Sequence, residues 1–260
     1  MAATTAMQKV TGTSLARVAV PRALRAVAHT PAGIGGKWPA LSLPSTPESA
    51  AGQRLNDAVA RRVRVTKGHV LVQRGEHLDA LYAIRSGSCK SVSTTSGGHE
   101  QVMEYHIAGE VLGLEAMVTR THDSTITALE DSEFCVMPFD RIEILAQQDH
   151  DFQGSLNALL SREIGRIRKA MLMLGTMRAE QRLASFLLDL SDRYQARGYS
   201  SHEFVLRMTR REIGSLLGLK CETVCRLFSQ LHRDGLIGVQ GREIRLIDTL
   251  ALQQLADSIV

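Results

Sequence analysis

Leu160, Ile164, Ile167, Met171 and Leu174 recur at spacings of four, three, four and three. That rhythm puts all five on one narrow stripe of an α-helix. Charged residues flank the stripe at Arg162, Arg166, Arg168 and Lys169. A helix buried in its own domain carries a broad apolar face, whereas a seam this narrow suits one partner helix. The spacing predicts a helix over 152–176. Packing on its own domain is one reading. Pairing with its copy in a homodimer is the better one, because the flanks are charged.

The seam divides the chain into unlike parts. Over residues 55–145, short apolar or alternating runs are cut by turn signals such as Thr66-Lys67-Gly68, Arg74-Gly75-Glu76, Ser86-Gly87 and Ser96-Gly97-Gly98. Turns every 8–12 residues or so predict six to eight strands in a sandwich or barrel. After the seam the pattern is helical, with Leu183, Phe186, Leu187 and Leu190 on one face. A hairpin is expected where 236–239 and 244–247 flank Gln240-Gly241-Arg242, with a last short helix over 249–258. Residues 1–54 hold five of the six prolines and the lone Trp38, and predict a disordered tail.

Composition excludes several classes. The chain is 44% hydrophobic, yet its apolar runs fall far short of the roughly 18 residues a membrane span requires. Four cysteines in 260 residues do not make a disulfide scaffold. With no secretory signal read at its start, the expected compartment is a reducing bacterial cytoplasm. The net charge of +4 divides into +5 over residues 1–54, −3 over 55–177 and +2 over 178–260. Most of the positive charge thus lies in the tail and is not itself a sign of nucleic-acid binding. No nucleophile–base pairing, phosphate loop or zinc spacing stands out, so an enzyme is not expected.

The most informative segment is MTRREIGSLLGLKCETVCRLFSQL, residues 208–231. Thr209 and Glu212 stand three apart as a capping box opens a helix. Ile213, Leu216 and Leu217 give that helix an apolar face, and Gly218 sits where positive φ is needed to leave it. A second helix from about Cys221 turns Val224, Leu227, Phe228 and Leu231 inward and leaves Glu222, Thr223, Cys225, Arg226 and Gln230 outside. Two short helices around a glycine turn make a helix-turn-helix, and the hairpin behind it makes a winged one. Arg can bind guanine O6/N7 in bidentate fashion, and Glu can accept from cytosine N4. A two-fold dimer matches a palindromic site.

These residues resemble the CRP/FNR family of bacterial transcription regulators, in its FNR-like branch, over about residues 55–255. The stretches that carry the resemblance are LYAIRSG (81–87), HIAGE (106–110), AEQRLASFLLDLSDRY (179–194) and MTRREIGSLLGLKCETVCRL (208–227). The resemblance implies an α+β fold: an N-terminal double-stranded β-roll of the cyclic-nucleotide-binding kind over 55–148, a long dimerisation helix over 149–177 and a winged helix-turn-helix over 178–255. It also implies E-x-x-S-R on the recognition helix and TTGA-type half-sites. Here that motif is Glu222-Thr223-Val224-Cys225-Arg226, so a weaker hydrogen-bonding thiol replaces the serine. Base contacts are expected from Glu222, Cys225 and Arg226. Backbone contacts are expected from Arg210, Arg211, Lys220 and Thr223. Lys220 stands where relatives place a small capping hydroxyl. The loop at Gly97-Gly98-His99 matches a surface that the family uses on RNA polymerase.

Three kinds of signal come into question. A cyclic-nucleotide site needs a phosphate-binding arginine, but Asp123 stands near that place after Gly113-Leu114-Glu115-Ala116, so a cyclic nucleotide is not expected. A [4Fe–4S] cluster needs four good ligands. Cys135 matches the family's β-roll ligand, or is simply a buried strand residue. Residues 1–88 hold no cysteine, so the cluster is disfavoured. Cys221 and Cys225, four apart near a helix N-terminus, are candidate redox thiols, since the dipole there favours thiolate. Cofactor binding is otherwise open, haem included. The seam holds no charge, which predicts a dimer formed without a cofactor. The expected function is homodimeric, sequence-specific transcription control in response to oxygen, redox state or nitrogen oxides. The alternatives are a β-roll that binds a small molecule and regulates a partner protein, and a constitutive regulator without a ligand.

Overall fold

The computed structural model describes residues 29–30 and 58–258. The expected disordered tail lies outside the described residues except at His29–Thr30 (β1). These pair antiparallel with Arg61–Val65 (β2), so the tail contributes one short strand where disorder is expected.

Seven further strands follow β2: Val70–Val72 (β3), Ala80–Ser86 (β4), Ser88–Thr94 (β5), Glu100–Ile107 (β6), Val111–Leu112 (β7), Thr125–Ala128 (β8) and Ser132–Pro138 (β9). They form one sheet in the order β1-β2-β9-β4-β7 and another in the order β3-β8-β5-β6, antiparallel throughout. Leu71, Val72, Cys89 and Ile126 from one sheet meet Val63, Tyr82, Ile84, Phe134 and Val136 from the other in a shared core.

Burial explains why β4 and β9 read as unbroken apolar runs. Tyr82, Ile84, Phe134 and Val136 face the opposing sheet. Their neighbours Leu81, Ala83, Cys135 and Met137 face the helices that follow. A strand covered on both faces has no solvent side, so period-two alternation disappears.

Helix α1, Phe139–Gln148, buries Phe139 and Ile142 against that second face. Asp149 then caps α2, His150–Thr176, accepting from the amides of Asp151 (2.9 Å) and Phe152 (3.1 Å). The first turns of α2 pack Phe152 and Leu156 onto the roll. Beyond them the helix turns its seam outward.

The C-terminal part runs α3 (Ala179–Gln195), β10 (Glu203–Val205), α4 (Arg210–Leu217), α5 (Cys221–Arg233), β11 (Ile237–Gln240), β12 (Glu243–Leu246) and α6 (Thr249–Asp257). Its core joins Leu183, Leu187 and Leu190 of α3 to Ile213, Leu217, Val224, Leu227 and Leu252. The hairpin gains β10 at its edge, giving a three-stranded wing in the order β10-β12-β11. No described helix is long and apolar enough to cross a membrane.

Candidate nucleic-acid interface

Local chemistry builds the helix-turn-helix. Thr209 Oγ1 accepts from the Glu212 amide at 3.2 Å, and the Glu212 carboxylate accepts from the Thr209 amide at 2.7 Å. The helix ends at Gly218, at φ 64°, ψ 37°, a left-handed conformation that side chains with a Cβ disfavour. The Leu219 amide then donates to the Gly214 carbonyl at 2.8 Å. A Cβ on Gly214 would come within 2.6 Å of the Leu219 carbonyl oxygen, so the close turn requires glycine there too.

Helix α5 turns Val224, Leu227, Phe228 and Leu231 into the core and leaves Glu222, Cys225 and Arg226 exposed side by side. These are the three residues expected at base edges. Lys220 is exposed at the N-cap, where its ammonium, a donor only, makes no capping bond. Arg211 is exposed and Thr223 is half-buried. Arg210 is differently placed from the other backbone candidates: its guanidinium carbon lies 3.3 Å from the centroid of the Phe228 ring. It spans α4 and α5, and desolvation lowers its pKa. Nothing in the spacing signals that stack.

Cys221 is half-buried and Cys225 exposed at the start of α5, while Cys89 and Cys135 are buried. Desolvation and the neighbouring Cys225 push the Cys221 thiol up, with Arg211 opposing. Cys135 is buried on the helix-facing side of its sheet, and burial raises its thiol to about 11. Cys89 lies on the other side of that sheet, in the core between the sheets. The four thiols thus occupy three separate places. They do not fit a cubane cluster, and among the described residues no group of three or more His, Cys, Asp or Glu side chains is arranged to hold a metal. Around the expected cyclic-nucleotide cassette, Glu115 Oε1 is 2.9 Å from His122 Nδ1 and Asp123 is exposed. Two carboxylates there suit a phosphodiester poorly.

Along α2, Leu160 is half-buried, while Ile164, Ile167, Met171 and Leu174 are 58, 50, 68 and 39% exposed. Four large apolar side chains in line on one helix form a contiguous patch that water disfavours.

Other anchoring residues escape a reading of the sequence. Helix α4 docks on the roll: Lys90 Nζ is 2.5 Å from Glu212 Oε1, Ser215 Oγ accepts from the Val102 amide at 2.9 Å, and Gln101 donates to the Ser215 carbonyl. Burial works against the Glu212 carboxylate, but Lys90 and Thr209 outweigh it and lower its pKa. Glu110, from the β6–β7 turn, is buried and bonded twice by Arg193, at 3.0 and 2.9 Å, and once by Arg197 at 3.0 Å. Arg166 of α2 approaches it at 3.4 Å. The local signal is thin: a lone acid after Ala108-Gly109 and two arginines four apart in and just after α3.

A Crp-like helix-turn-helix domain model matches residues 181–255, and a cyclic nucleotide-binding domain model matches residues 62–149. The chain is 48% identical to the transcriptional regulatory protein btr of Bordetella pertussis, over 78% of this chain and 84% of that one. It is 38% identical to the anaerobic regulatory protein of Haemophilus influenzae, over 83% of this chain and 84% of the relative. Among solved structures it resembles FixK2 from Bradyrhizobium japonicum, with a TM-score of 0.71 and 30% identity, covering 78% of this chain and all of that one. The Bordetella relative is described as a transcriptional regulatory protein, and the Pseudomonas aeruginosa relative anr, 39% identical over 78% of this chain and 83% of that one, as a transcriptional activator. With its roll, long helix and winged helix-turn-helix in the same order, the chain belongs to the CRP/FNR family of transcription regulators.

Proposed function

We propose that this chain is a homodimeric regulator that reads TTGA-type inverted repeats in double-stranded DNA and controls transcription in response to oxygen, redox state or nitrogen oxides. The observation that carries the reading is the exposed row Glu222, Cys225 and Arg226 on a helix whose other side is fixed in the core. Glu and Arg one turn apart supply the acceptor and bidentate donor that a C·G and a G·C pair require. The Haemophilus relative's description as an anaerobic regulatory protein supports the oxygen arm. A palindrome is read by two such helices, and the seam supplies the pairing. The thiol arrangement supports dimerisation and DNA reading without an iron–sulfur cluster. The exposed Gly97-Gly98-His99 loop between β5 and β6 supports a contact with RNA polymerase.

Two consequences are measurable. Met171→Glu places a charge on the seam without touching a buried residue. Light scattering should then show a shift from dimer mass toward monomer mass, with the helical signal unchanged. A dimer of unaltered strength would remove the seam from the interface. Lys220→Ala deletes a backbone cation that carries no base information. Affinity should fall equally on specific and scrambled duplexes, and the slope of log K against log salt should shrink by about 1 for each phosphate no longer neutralised. A weakening confined to the TTGA-type duplex would instead make Lys220 a base reader.

A further inference from the structure

Arg182 lies at the junction of three elements. Its Nε donates to the Met177 carbonyl at 2.9 Å, in the link between α2 and α3. One terminal nitrogen donates to the Leu174 carbonyl at 2.8 Å, in the last turn of α2. The other donates to the Leu217 carbonyl at 3.0 Å, at the end of α4. Carbonyls in the last turn of a helix lack intrahelical donors, and their partial negative charge favours a cation. One guanidinium therefore serves the C-terminal ends of two helices at once. The turn of the helix-turn-helix sits against the same place: a Cβ on Gly218 would lie 3.3 Å from an Arg182 terminal nitrogen and 3.5 Å from Leu174 Cδ2.

The consequence is geometric. Helix α2 carries the seam, so it defines the two-fold axis. Helix α4 carries the turn that aims α5. Arg182 ties the end of one to the end of the other. Two symmetric reading helices have a fixed separation only if each is held at a fixed angle to the axis, and half-site spacing follows from that separation. Lys90, Gln101 and Val102 anchor α4 to the roll through Glu212 and Ser215, and among these contacts Arg182 is the one that ties the end of α4 to the end of α2. We propose that Arg182 is the positioning residue that sets the half-site spacing this protein accepts. A lysine keeps the charge, but its ammonium has no planar fork to reach three carbonyls.

The proposal rests on the dimeric DNA-binding reading, and its test separates the two. Full-length wild type, Arg182→Gln and Arg182→Lys are titrated onto duplexes carrying TTGAT and ATCAA arms around spacers of three, four, five and six base pairs. Dimer mass and thermal melting are measured alongside. Wild type should favour one spacer over its neighbours by about tenfold or more, because a one-step change displaces and rotates the half-sites. Arg182→Gln should remain dimeric and lose most of that ratio, with Arg182→Lys in between. The ratio does not depend on the fraction of active protein, so partial misfolding cannot mimic the result. A ratio unchanged in Arg182→Gln, whether affinity holds or falls uniformly, overturns the assignment. Should wild type itself bind no duplex or favour no spacer, the dimeric reading falls and the assignment with it.

Discussion

Arg226→Ala should abolish preference for TTGA-type duplexes while leaving fold and dimer intact. The Arg226 side chain lies outside the core, so its removal opens no cavity, and surface substitutions of this kind usually change stability by no more than about 0.5 kcal/mol. A good bidentate contact to guanine discriminates by about 1–3 kcal/mol, and a dimer makes it twice, so roughly 2–6 kcal/mol of specificity is at stake. Non-specific affinity should persist, because the exposed cations Arg211 and Lys220 remain. Glu222→Ala should act in the same direction, through the facing cytosine. Anisotropy titrations on matched and scrambled duplexes measure the difference directly. An Arg226→Ala protein that keeps its preference would move base reading off this face of α5.

Glu110→Gln should cost about 3–5 kcal/mol of folding stability, the range for removing one partner of a buried ion pair. Glu110 is enclosed by Arg193, Arg197 and Arg166, and its removal leaves the buried Arg197 without its carboxylate and Arg193 with only the half-exposed Asp189. The pH dependence has a definite sign. Burial works to raise the Glu110 pKa, but Arg193, His106, Arg166 and Arg197 outweigh it and hold the carboxyl far below the ordinary 4.5. Its folded pKa is thus depressed, so the stabilisation is complete at neutral pH and is lost as pH falls below about 4.5. Urea midpoints of wild type and Glu110→Gln should differ strongly at pH 7 and converge on acidification. Asp189→Ala is the control: that partner of Arg193 is 47% exposed, and such pairs contribute about 0–1 kcal/mol. Equal midpoints at pH 7 would reduce the cluster to a surface-like pairing.

What could be read from residues alone follows from the range of the interactions involved. The capping box at Thr209 and Glu212, the glycine exit at Gly218 and the inward face of α5 depend on neighbours within one or two turns, and all three stand as expected. The seam is also local, since a 3.5-residue rhythm is visible in one segment. The roll is legible in strand number but not in pairing, because β2 meets β9 and β4 meets β9 across long stretches of chain. Glu110 with Arg193, Lys90 with Glu212 and Arg182 with Leu217 are illegible for the same reason: each joins elements far apart in sequence. The balance at Cys221 is likewise hidden, because desolvation and Cys225 raise its thiol while Arg211 lowers it, and spacing does not weigh them. Arg210 stacks on Phe228 across the turn, an arrangement that spacing does not encode.

Reduced and metal-free, this chain should read a TTGA-type palindrome as a dimer. Titration at about 0.15 M salt onto a TTGAT-N4-ATCAA duplex and a scrambled duplex, with complex mass determined in parallel, measures this directly. Two chains per duplex and a preference of about 10³ or more for the palindrome are expected. Weak binding of equal strength to both duplexes would overturn the dimeric, cofactor-independent reading.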